Sequence, residues 1–275
     1  MKRLLTTLVI LTGLIGSGGS VWSQDLNKGL KAAQSGDFAT AFKEWKPLAE
    51  RGKMAAQYNL GQMYRKGDGV TQDYAEAVKW WRKAAEHGFA RAQYNLGLMY
   101  RNGDGVTLDD AEAVKWYRKA AEQGLANAQF NLGFMYKKGK GVTQDYSEAV
   151  KWNRKAAEQG VARAQYNLGL MYRNGDGVTQ DYAEAVKWYR KAAEQRHAKA
   201  WLNLGAMYYN GEGVLQDSIA AHMWFNIAAA NGNTKAVENR DIAASKLSSA
   251  DIVKAQAWAK RCMASGYKDC DAKAK

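Results

Sequence analysis

Asparagine recurs at one position of a 36-residue pattern, and its side-chain amide can both donate and accept hydrogen bonds. A row of such amides could pair with the backbone of an extended peptide whatever the sequence of that peptide. Three of the copies also carry a basic residue four positions earlier, which suits a charge-assisted contact with a carboxylate. The asparagines are Asn59, Asn95, Asn131, Asn167 and Asn203, and the basic residues are Arg91, Arg163 and Lys199.

Apolar residues stand three positions after the asparagine in the three middle copies, at Leu98, Phe134 and Leu170. On a helix whose core face carries Leu60, these positions fall on a separate stripe, so we expect them to line a binding groove with side-chain pockets. The alternative is structural: the asparagines would bond neighbouring helices, and the basic residues would cap helix C-terminal carbonyls. A basic rim is expected from four residues near the C-terminal ends of the same helices, namely Arg65, Arg101, Lys137 and Arg173.

Catalytic and metal-binding chemistry has little support in the sequence. His87, His197 and His222 stand at unrelated positions and form no cluster with the spacing of metal ligands. Asp68 and Asp73 resemble part of a calcium loop but lack its further acidic ligands. No nucleophile stands beside a base, and the recurring carboxylates have no distinct neighbours that would separate their pKa values. The sequence therefore predicts a protein that is not an enzyme and binds neither a metal nor a cofactor.

A repeated helix–loop–helix unit would position these residues. Leu-Gly recurs five times at intervals of 36 residues, and each copy has two segments with apolar residues at helical spacing. The second segment opens with a capping box, as at Asp73 and Glu76, and usually stops at a glycine such as Gly88. One helix pair cannot bury its apolar face alone, so the copies must stack. Because Pro47 is the only proline in 275 residues, the sequence predicts an all-α fold rather than a turn-rich all-β one.

The residues of the first copy carry a family resemblance. They are Leu60-Gly61-x-x-Tyr64, Gly67-x-Gly69-Val70, Asp73, Ala77, Trp80 and Ala84-Ala85. This pattern resembles the Sel1-like repeat, a relative of the tetratricopeptide repeat with a longer interhelix loop. The resemblance implies a right-handed superhelical solenoid of antiparallel helix pairs, whose first helices line a concave binding side.

The resemblance also bears on function. It implies a scaffold or adaptor that binds proteins, and the basic residues beside asparagines look like the carboxylate clamps of peptide-binding tetratricopeptide domains. Some cysteine-rich relatives have been linked to penicillin binding or β-lactam hydrolysis. These repeats contain no cysteine, and we recognise no Ser-x-x-Lys constellation of the β-lactamase type, so that activity is not carried over.

Four segments are expected along the chain. They are a signal peptide at 1–23, a degenerate N-terminal repeat at 24–52, five repeats at 53–232 and a C-terminal helical cap at 233–275. In the cap, the sequence predicts helices at about 234–247 and 250–264.

The first segment has the features of a secretory leader. Lys2 and Arg3 precede an apolar run of 12 residues, and a cut is expected after Ser23. An uncleaved anchor is the alternative, but a bilayer span takes about 20 residues. We therefore expect a periplasmic or secreted protein with no transmembrane segment after cleavage. In an oxidising compartment Cys262 and Cys270 are expected to form a disulfide, the alternative being two free thiols.

Charge supports an anionic partner. The chain has 40 Lys and Arg against 27 Asp and Glu, a formal net charge of +13. We therefore expect a scaffold whose groove binds an acidic or carboxylate-terminated segment of a peptide or protein. The alternative is that the protein binds an anionic polymer such as cell-wall glycan. A third hypothesis is an enzyme that acts on cell-wall material or β-lactams. No specific nucleic acid partner is expected, and the sequence leaves the oligomeric state open.

Overall fold

The computed structural model describes residues 20–268 and residue 270, and every regular element in that part of the chain is an α-helix. The prediction of an all-α fold is therefore confirmed. Each helix from α2 to α12 has 13 residues, as expected of a repeated unit. The helices are α1 (Ser20–Gln34), α2 (Phe38–Glu50), α3 (Met54–Lys66), α4 (Tyr74–Glu86), α5 (Ala90–Asn102), α6 (Asp110–Glu122), α7 (Ala126–Lys138), α8 (Tyr146–Glu158), α9 (Ala162–Asn174), α10 (Tyr182–Glu194), α11 (Ala198–Asn210), α12 (Ser218–Ala230), α13 (Thr234–Ala244) and α14 (Ser249–Ala264).

Two compact units make up the described chain, and each is built from consecutive packed helices. The first unit contains the residues up to 128 together with 140–142, and the second contains 129–139 together with the residues from 143 onward. In the first unit α1 packs on α2, α3 on α4 and α5 on α6, and further contacts of α2 with α3 and of α4 with α5 join these pairs. In the second unit each helix from α8 to α11 packs on the next, and α12 contacts both α13 and α14.

The second helix of each repeat begins at an aspartate cap, as predicted. A carboxylate oxygen of Asp73 accepts a hydrogen bond from the backbone N–H of Glu76 at 3.0 Å, and the aspartates that precede α6, α8, α10 and α12 do the same. The reciprocal half of the predicted capping box does not form, because the backbone N–H of Asp73 donates to the carbonyl oxygen of Tyr64. The Glu76 carboxylate accepts from Lys79 instead, at 2.8 Å.

Close packing within a repeat depends on the glycine of the Leu-Gly pair. Leu60 is fully buried, and the neighbouring Gly61 faces the Trp81 ring of α4 so closely that an added Cβ would lie 2.5 Å from it. Any larger residue would push the two helices apart. The predicted core face is therefore confirmed in this repeat.

The C-terminal segment adds two helices to the second unit. The helices α13 and α14 begin within one residue of their predicted starts, and Ser248 caps α14 by accepting from the backbone N–H of Asp251. A disulfide joins Cys262, in the last turn of α14, to Cys270 in the segment that follows. Of the predicted leader, residues 1–19 lie outside the described part of the chain. No helix within the described residues combines the length and the apolar character that a membrane crossing requires.

Candidate functional site

The five asparagines of the pattern lie at equivalent positions of the first helices but differ in exposure. Asn59 is 7% exposed and Asn131 is 6% exposed, whereas Asn95, Asn167 and Asn203 are partly buried. Each asparagine directly precedes a core leucine, and one residue turns a helix by only about 100°, so the amide stands at the edge of the core face. The prediction that the whole row lines an open groove is therefore wrong for Asn59 and Asn131, whose side chains are enclosed.

Asn203 is engaged inside the protein. Its side chain lies near the hydroxyl of Tyr166 on α9. Burial raises the pKa of that hydroxyl, and the polar side chain of Asn203 opposes the rise. At this position the asparagine faces a neighbouring helix, which favours the structural alternative.

The three basic residues of the predicted groove are exposed. Arg91, Arg163 and Lys199 lie in the first turns of α5, α9 and α11, one turn before the partly buried asparagines. Within the described residues none of the three has an ion pair or a side-chain hydrogen bond. The guanidinium of Arg163 lies over the Phe130 ring, 4.6 Å from its centroid. This ring limits the positions that the guanidinium can take.

The apolar residues of the same stripe contribute less surface than expected. Leu98, Phe134 and Leu170 are all partly buried. They lie three residues after the asparagines, where the neighbouring helices already cover part of each side chain. We expected exposed side chains here, and the structure corrects that expectation.

The predicted basic rim is partly neutralised by the protein itself. Arg173 forms an ion pair with Glu212 at 3.2 Å, and Lys137 lies 4.0 Å from Asp176. Each acid stands 39 residues after its base, in the loop of the next repeat. Burial lowers the pKa of Lys137, and the charge of Asp176 opposes that effect. These two bases are therefore poor candidates for binding an external anion.

Glutamines, rather than the basic side chains, cap the C-terminal carbonyls of the first helices. The side-chain amide of Gln180 donates to the carbonyl oxygen of Arg173 at 2.8 Å and to the Tyr182 hydroxyl at 3.1 Å. Gln72 and Gln144 make the same pair of bonds in their own repeats. This part of the structural alternative, in which basic residues cap these carbonyls, is therefore not what the structure shows in three repeats.

A second set of glutamines, which the sequence analysis missed, joins consecutive repeats. The buried Gln93 donates to the carbonyl oxygen of Ala85 at 3.0 Å and accepts from Gln123 at 2.7 Å. Gln57 and Gln165 make the first of these bonds, and Gln195 makes the second one to Gln165. The signal was present, because a glutamine stands two residues before the asparagine in four of the five copies.

The exposed face of the second helices is also largely engaged. Lysines on this face form ion pairs with glutamates three residues earlier, at 2.7 to 2.8 Å for Lys79, Lys151 and Lys187. The arginines of these helices reach the next repeat, since Arg82 donates to the Tyr100 hydroxyl at 2.7 Å and Arg154 to the Tyr172 hydroxyl at 2.6 Å. Exposed lysines lie 4.4 to 4.7 Å from the centroids of tryptophan rings, namely Lys83 over Trp80, Lys119 over Trp116, Lys155 over Trp152 and Lys191 over Trp188.

The junction between α10 and α11 departs from the other repeats. Arg196 replaces a glycine and keeps the left-handed conformation, with φ of 63°. His197 replaces an apolar residue, and its ring stacks on Tyr166 with centroids 4.5 Å apart. The Nδ1 atom of His197 is buried without a hydrogen-bond partner. Burial lowers the pKa of His197, and the positive charges of Lys199 and Arg163 lower it further.

In the part of the chain that the structure describes, no three His, Cys, Asp or Glu side chains converge on a possible metal position. The segment Ser265-Gly-Tyr-Lys268, outside the repeats, has the spacing of a serine–lysine motif. Its serine hydroxyl donates to the carbonyl oxygens of Cys262 and Lys268, so it stabilises the turn after α14.

Comparison with known proteins identifies the repeat. Five consecutive segments match the family model described as the Sel1 repeat, at 55–89, 90–125, 126–161, 162–197 and 198–233. No match was found among curated proteins.

Two solved structures share both the sequence pattern and the fold. A Sel1 repeat protein from Oxalobacter formigenes is 38% identical, with a TM-score of 0.73, and the alignment covers 78% of this chain and 88% of that protein. Protein c5321, a protective antigen present in uropathogenic Escherichia coli strains and displaying an SLR fold, is 39% identical, with a TM-score of 0.79. That alignment covers 92% of this chain but only 56% of c5321.

Proposed function

The chain belongs to the Sel1-repeat family, whose members generally act as non-enzymatic protein-interaction scaffolds, and we propose that it binds an acidic or carboxylate-terminated segment of a protein partner. We further propose that it does so outside the cytoplasm, in the periplasm or after secretion. Support for export comes from the leader-like residues 1–23 and from the disulfide near the C-terminus.

One contrast carries the binding proposal. Basic side chains at the repeated positions of the second helices have partners inside the protein: glutamates, tyrosine hydroxyls or tryptophan rings. Arg91, Arg163 and Lys199 are exposed and have no ion pair or side-chain hydrogen bond within the described residues, and the one ring contact among them is that of Arg163 with Phe130. A guanidinium or ammonium group in that position can form charge-assisted hydrogen bonds with a carboxylate.

The proposed contacts differ between the two compact units. In the first unit Arg91 and the partly buried Asn95 form one basic and amide pair, and Asn95 has a buried amide nitrogen without a partner. In the second unit Arg163 and Asn167 form another pair, with Lys199 on the following first helix. We leave Asn59 and Asn131 out of the binding surface because they are buried.

The test compares two sets of substitutions that remove the same charge. One variant carries R91A, R163A and K199A, and the matched control carries K83A, K119A and K155A on the second helices. Binding of fluorescent peptides with free or amidated C-termini, acidic or neutral, is measured by anisotropy at two salt concentrations. We expect the first variant to lose at least about tenfold in affinity, roughly 1.4 kcal/mol, and the control to bind nearly as wild type.

Equal loss in both variants would contradict the proposal. Together with a steep salt dependence and no preference among peptides, that result would favour the anionic-polymer alternative, because counterion release depends on total charge rather than on particular residues.

A further inference from the structure

We propose that Arg196, Trp201 and Asn231 form a binding site for an aromatic side chain, which the chain's own Tyr267 fills while the disulfide is intact. We call the segment between Cys262 and Cys270 the strap. Reduction of the disulfide by a dithiol releases the strap, and a tyrosine side chain of a protein partner then takes the site. This inference goes beyond the proposed function, because it needs neither the exposed basic residues of the first helices nor a carboxylate.

Three departures from the repeat pattern meet at Tyr267. Arg196 replaces a glycine, and Trp201 replaces a glutamine, that the other four copies have at these positions. Asn231 stands where three other copies have a glutamine. The Arg196 guanidinium lies 5.3 Å from the centroid of the Tyr267 ring, and the Trp201 ring stacks on it at 4.8 Å. The Tyr267 hydroxyl lies 3.4 Å from the Asn231 side-chain oxygen, so all three departures contact one side chain.

The usual polar contact between repeats is replaced at this place. In the preceding repeat Gln165 accepts a hydrogen bond at 2.7 Å from the glutamine 30 residues later. Trp201 keeps the other bond of that glutamine, because its indole N–H donates to the carbonyl oxygen of Ala193 at 3.1 Å. An indole has no acceptor to offer to Asn231, whose amide faces the Tyr267 hydroxyl instead. The site therefore has an aromatic wall and a polar end, which match a phenol.

The backbone is strained where the strap meets the repeats. Tyr267 has φ of 69° and Arg196 has φ of 63°, and no other non-glycine residue in the described part of the chain has positive φ. This left-handed conformation is unfavourable for a residue with a Cβ atom, and it persists only where the surroundings enforce it. The side chains of the two strained residues contact each other. Such strain is typical of ligand clamps and switches.

The disulfide acts as the latch of the strap. It joins Cys262, in the last turn of α14, to Cys270, and Tyr267 lies between them. Within this closed loop the backbone N–H of Tyr267 donates to the carbonyl oxygen of Cys262 at 2.8 Å. The cross-link restricts the conformations of the released strap, so it reduces the entropy lost when the strap binds. Without it, the contacts of Tyr267 must offset both the backbone strain and the full chain entropy.

The release step needs a dithiol. One thiolate of the dithiol attacks a cysteine sulfur, and the second then displaces that sulfur from the mixed disulfide. The bond between the two cysteine sulfurs breaks, each sulfur gains one electron and one proton, and the dithiol leaves as its own disulfide. Cys262 is 2% exposed and Cys270 is 6% exposed, so the attack follows local opening of the strap. The site is therefore closed in an oxidising compartment and opens where a dithiol is supplied.

A tyrosine of a protein partner fits the released site better than a second copy of the chain. The chain has a formal net charge of +13, so two copies repel each other. A tyrosine ring can stack on the indole of Trp201 and bind the guanidinium of Arg196, while its hydroxyl reaches the amide of Asn231. Tyrosine is also enriched among the residues that anchor protein interfaces.

Hydrogen exchange tests the latch. Oxidised wild type, wild type with dithiothreitol and the variant C262A with C270A are compared over residues 265–268. We expect exchange of the Tyr267 amide to become at least about tenfold faster without the disulfide, because its hydrogen bond is then lost in the released strap. Exchange in α11 and α12 should not change, which controls for unfolding. Equal protection of the strap in all three samples would overturn the release mechanism.

The small molecule p-cresol, which is the tyrosine side chain in free form, tests the site. Y267A empties the site with the disulfide intact, and W201Q restores the residue of the other four copies. We expect p-cresol at ten times its Kd to raise the melting temperature of Y267A by about 3 to 5 °C and to leave wild type unchanged. Y267A with W201Q should bind it about tenfold less tightly in calorimetry. Equal binding by these two variants would mean an unspecific cavity and would overturn the site.

A peptide probe tests the occupant. Acetyl-Ser-Gly-Tyr-Lys-amide, and the same peptide with alanine in place of tyrosine, are titrated into oxidised and reduced wild type. Binding of the tyrosine peptide to the reduced protein alone supports the proposal. If the reduced protein binds neither peptide, the assignment to a partner tyrosine is wrong. It is also wrong if the reduced protein forms a dimer in sedimentation velocity that Y267A does not form, because a second copy then fills the site. None of these results depends on carboxylate binding, so the proposed function stands or fails separately.

Discussion

The ring of Tyr267 stacks on the indole of Trp201, with centroids 4.8 Å apart and an interplanar angle of 22°. Tyr267 belongs to the segment after α14, and Trp201 belongs to α11, the first helix of the last repeat. The Arg196 guanidinium lies 5.3 Å from the same tyrosine ring. Together with a hydrogen bond at 3.4 Å between the Tyr267 hydroxyl and the Asn231 side chain, these aromatic and cation–π contacts hold the segment that the disulfide closes against the repeats.

Breaking the disulfide should loosen that contact and lower stability. It joins cysteines eight residues apart, and closing such a loop contributes about 2 to 3 kcal/mol if the effect is mainly on the entropy of the unfolded chain. We expect C262A with C270A to lower the free energy of unfolding by that amount in urea denaturation. Adding a reductant to wild type should reproduce the loss, and a variant as stable as oxidised wild type would contradict the prediction.

Substitutions at Arg196 test whether backbone strain or the contact with the Tyr267 ring has the larger effect on stability. Its φ of 63° is ordinary for glycine but unfavourable for other residues, and the five glycines at equivalent positions have φ of 85° to 89°. R196A keeps the unfavourable conformation and loses the contact with Tyr267, whereas R196G loses the contact but relieves the strain. We expect R196G to be more stable than R196A by about 1 kcal/mol in urea denaturation. The reverse order would mean that the backbone relaxes in the alanine variant.

The fold could be predicted from the sequence because the same signals recur in all five repeats. The Leu-Gly pair, the aspartate cap and the apolar spacing agree with one another, and the structure contains the helices that they predict. Polar contacts between repeats were harder to foresee. The bond from Gln123 to Gln93 joins residues 30 positions apart, and no local pattern states which side chains the stacking of helices brings together.

The exposure of the asparagines on the first helices was only partly predictable, for a related reason. Helical phase separates the asparagines from the core leucines by about 100°, but it gives the direction of a side chain and not what covers it. Coverage depends on the neighbouring repeats, so Asn59 and Asn131 are buried while Asn95 and Asn167 are partly buried. The departures at Arg196 and His197 were visible in the sequence, yet their contacts with Tyr267 and Tyr166 required the structure.

Trp116 should be essential for packing in the first unit. It is 9% exposed and belongs to a core cluster with Leu96 and Met99. We expect W116A to lower the free energy of unfolding by about 3 to 5 kcal/mol, since it removes a large buried ring. K119A is the control, because Lys119 lies over the same ring at 4.4 Å and contributes about 0.5 to 1 kcal/mol. A W116A melt that matched wild type would refute the packing role.

His222 should make stability depend on pH. It is 2% exposed on α12, and burial lowers its pKa, an effect that Arg240 strengthens and Asp241 opposes. In the unfolded chain the histidine takes up a proton near pH 6.5, whereas in the folded protein it does so only at lower pH. Stability should therefore decrease as pH falls from 7.5 through 6.5 toward the folded pKa.

A variant with the consensus residue tests this origin. Valine stands at the equivalent position in the other four copies, so H222V should keep the packing and reduce the slope of stability against pH. His197, whose pKa is also lowered, should account for part of the remaining slope. Thermal melts at pH 5.5, 6.5 and 7.5 measure the effect. An identical slope in H222V and wild type would exclude His222 as its source.

Substitutions of Asn131 and Arg163 should differ in their effects, because the first should lower stability and the second should weaken peptide binding. The sequence places both on the stripe away from the core leucines, which predicts that neither affects stability. The structure shows Asn131 to be 6% exposed and Arg163 to be exposed. N131A should therefore lower the free energy of unfolding by about 0.5 to 3 kcal/mol, because it removes the packing of a buried side chain. R163A should lower the free energy of unfolding by less than about 1 kcal/mol, from the lost contact with Phe130, and should weaken the binding of carboxylate peptides.

Urea denaturation and peptide anisotropy on the two single variants measure both effects, with N167A as a partly buried control. If N131A were as stable as wild type and also bound peptides less well, the amide would be accessible to ligands and the open groove would extend along the whole row.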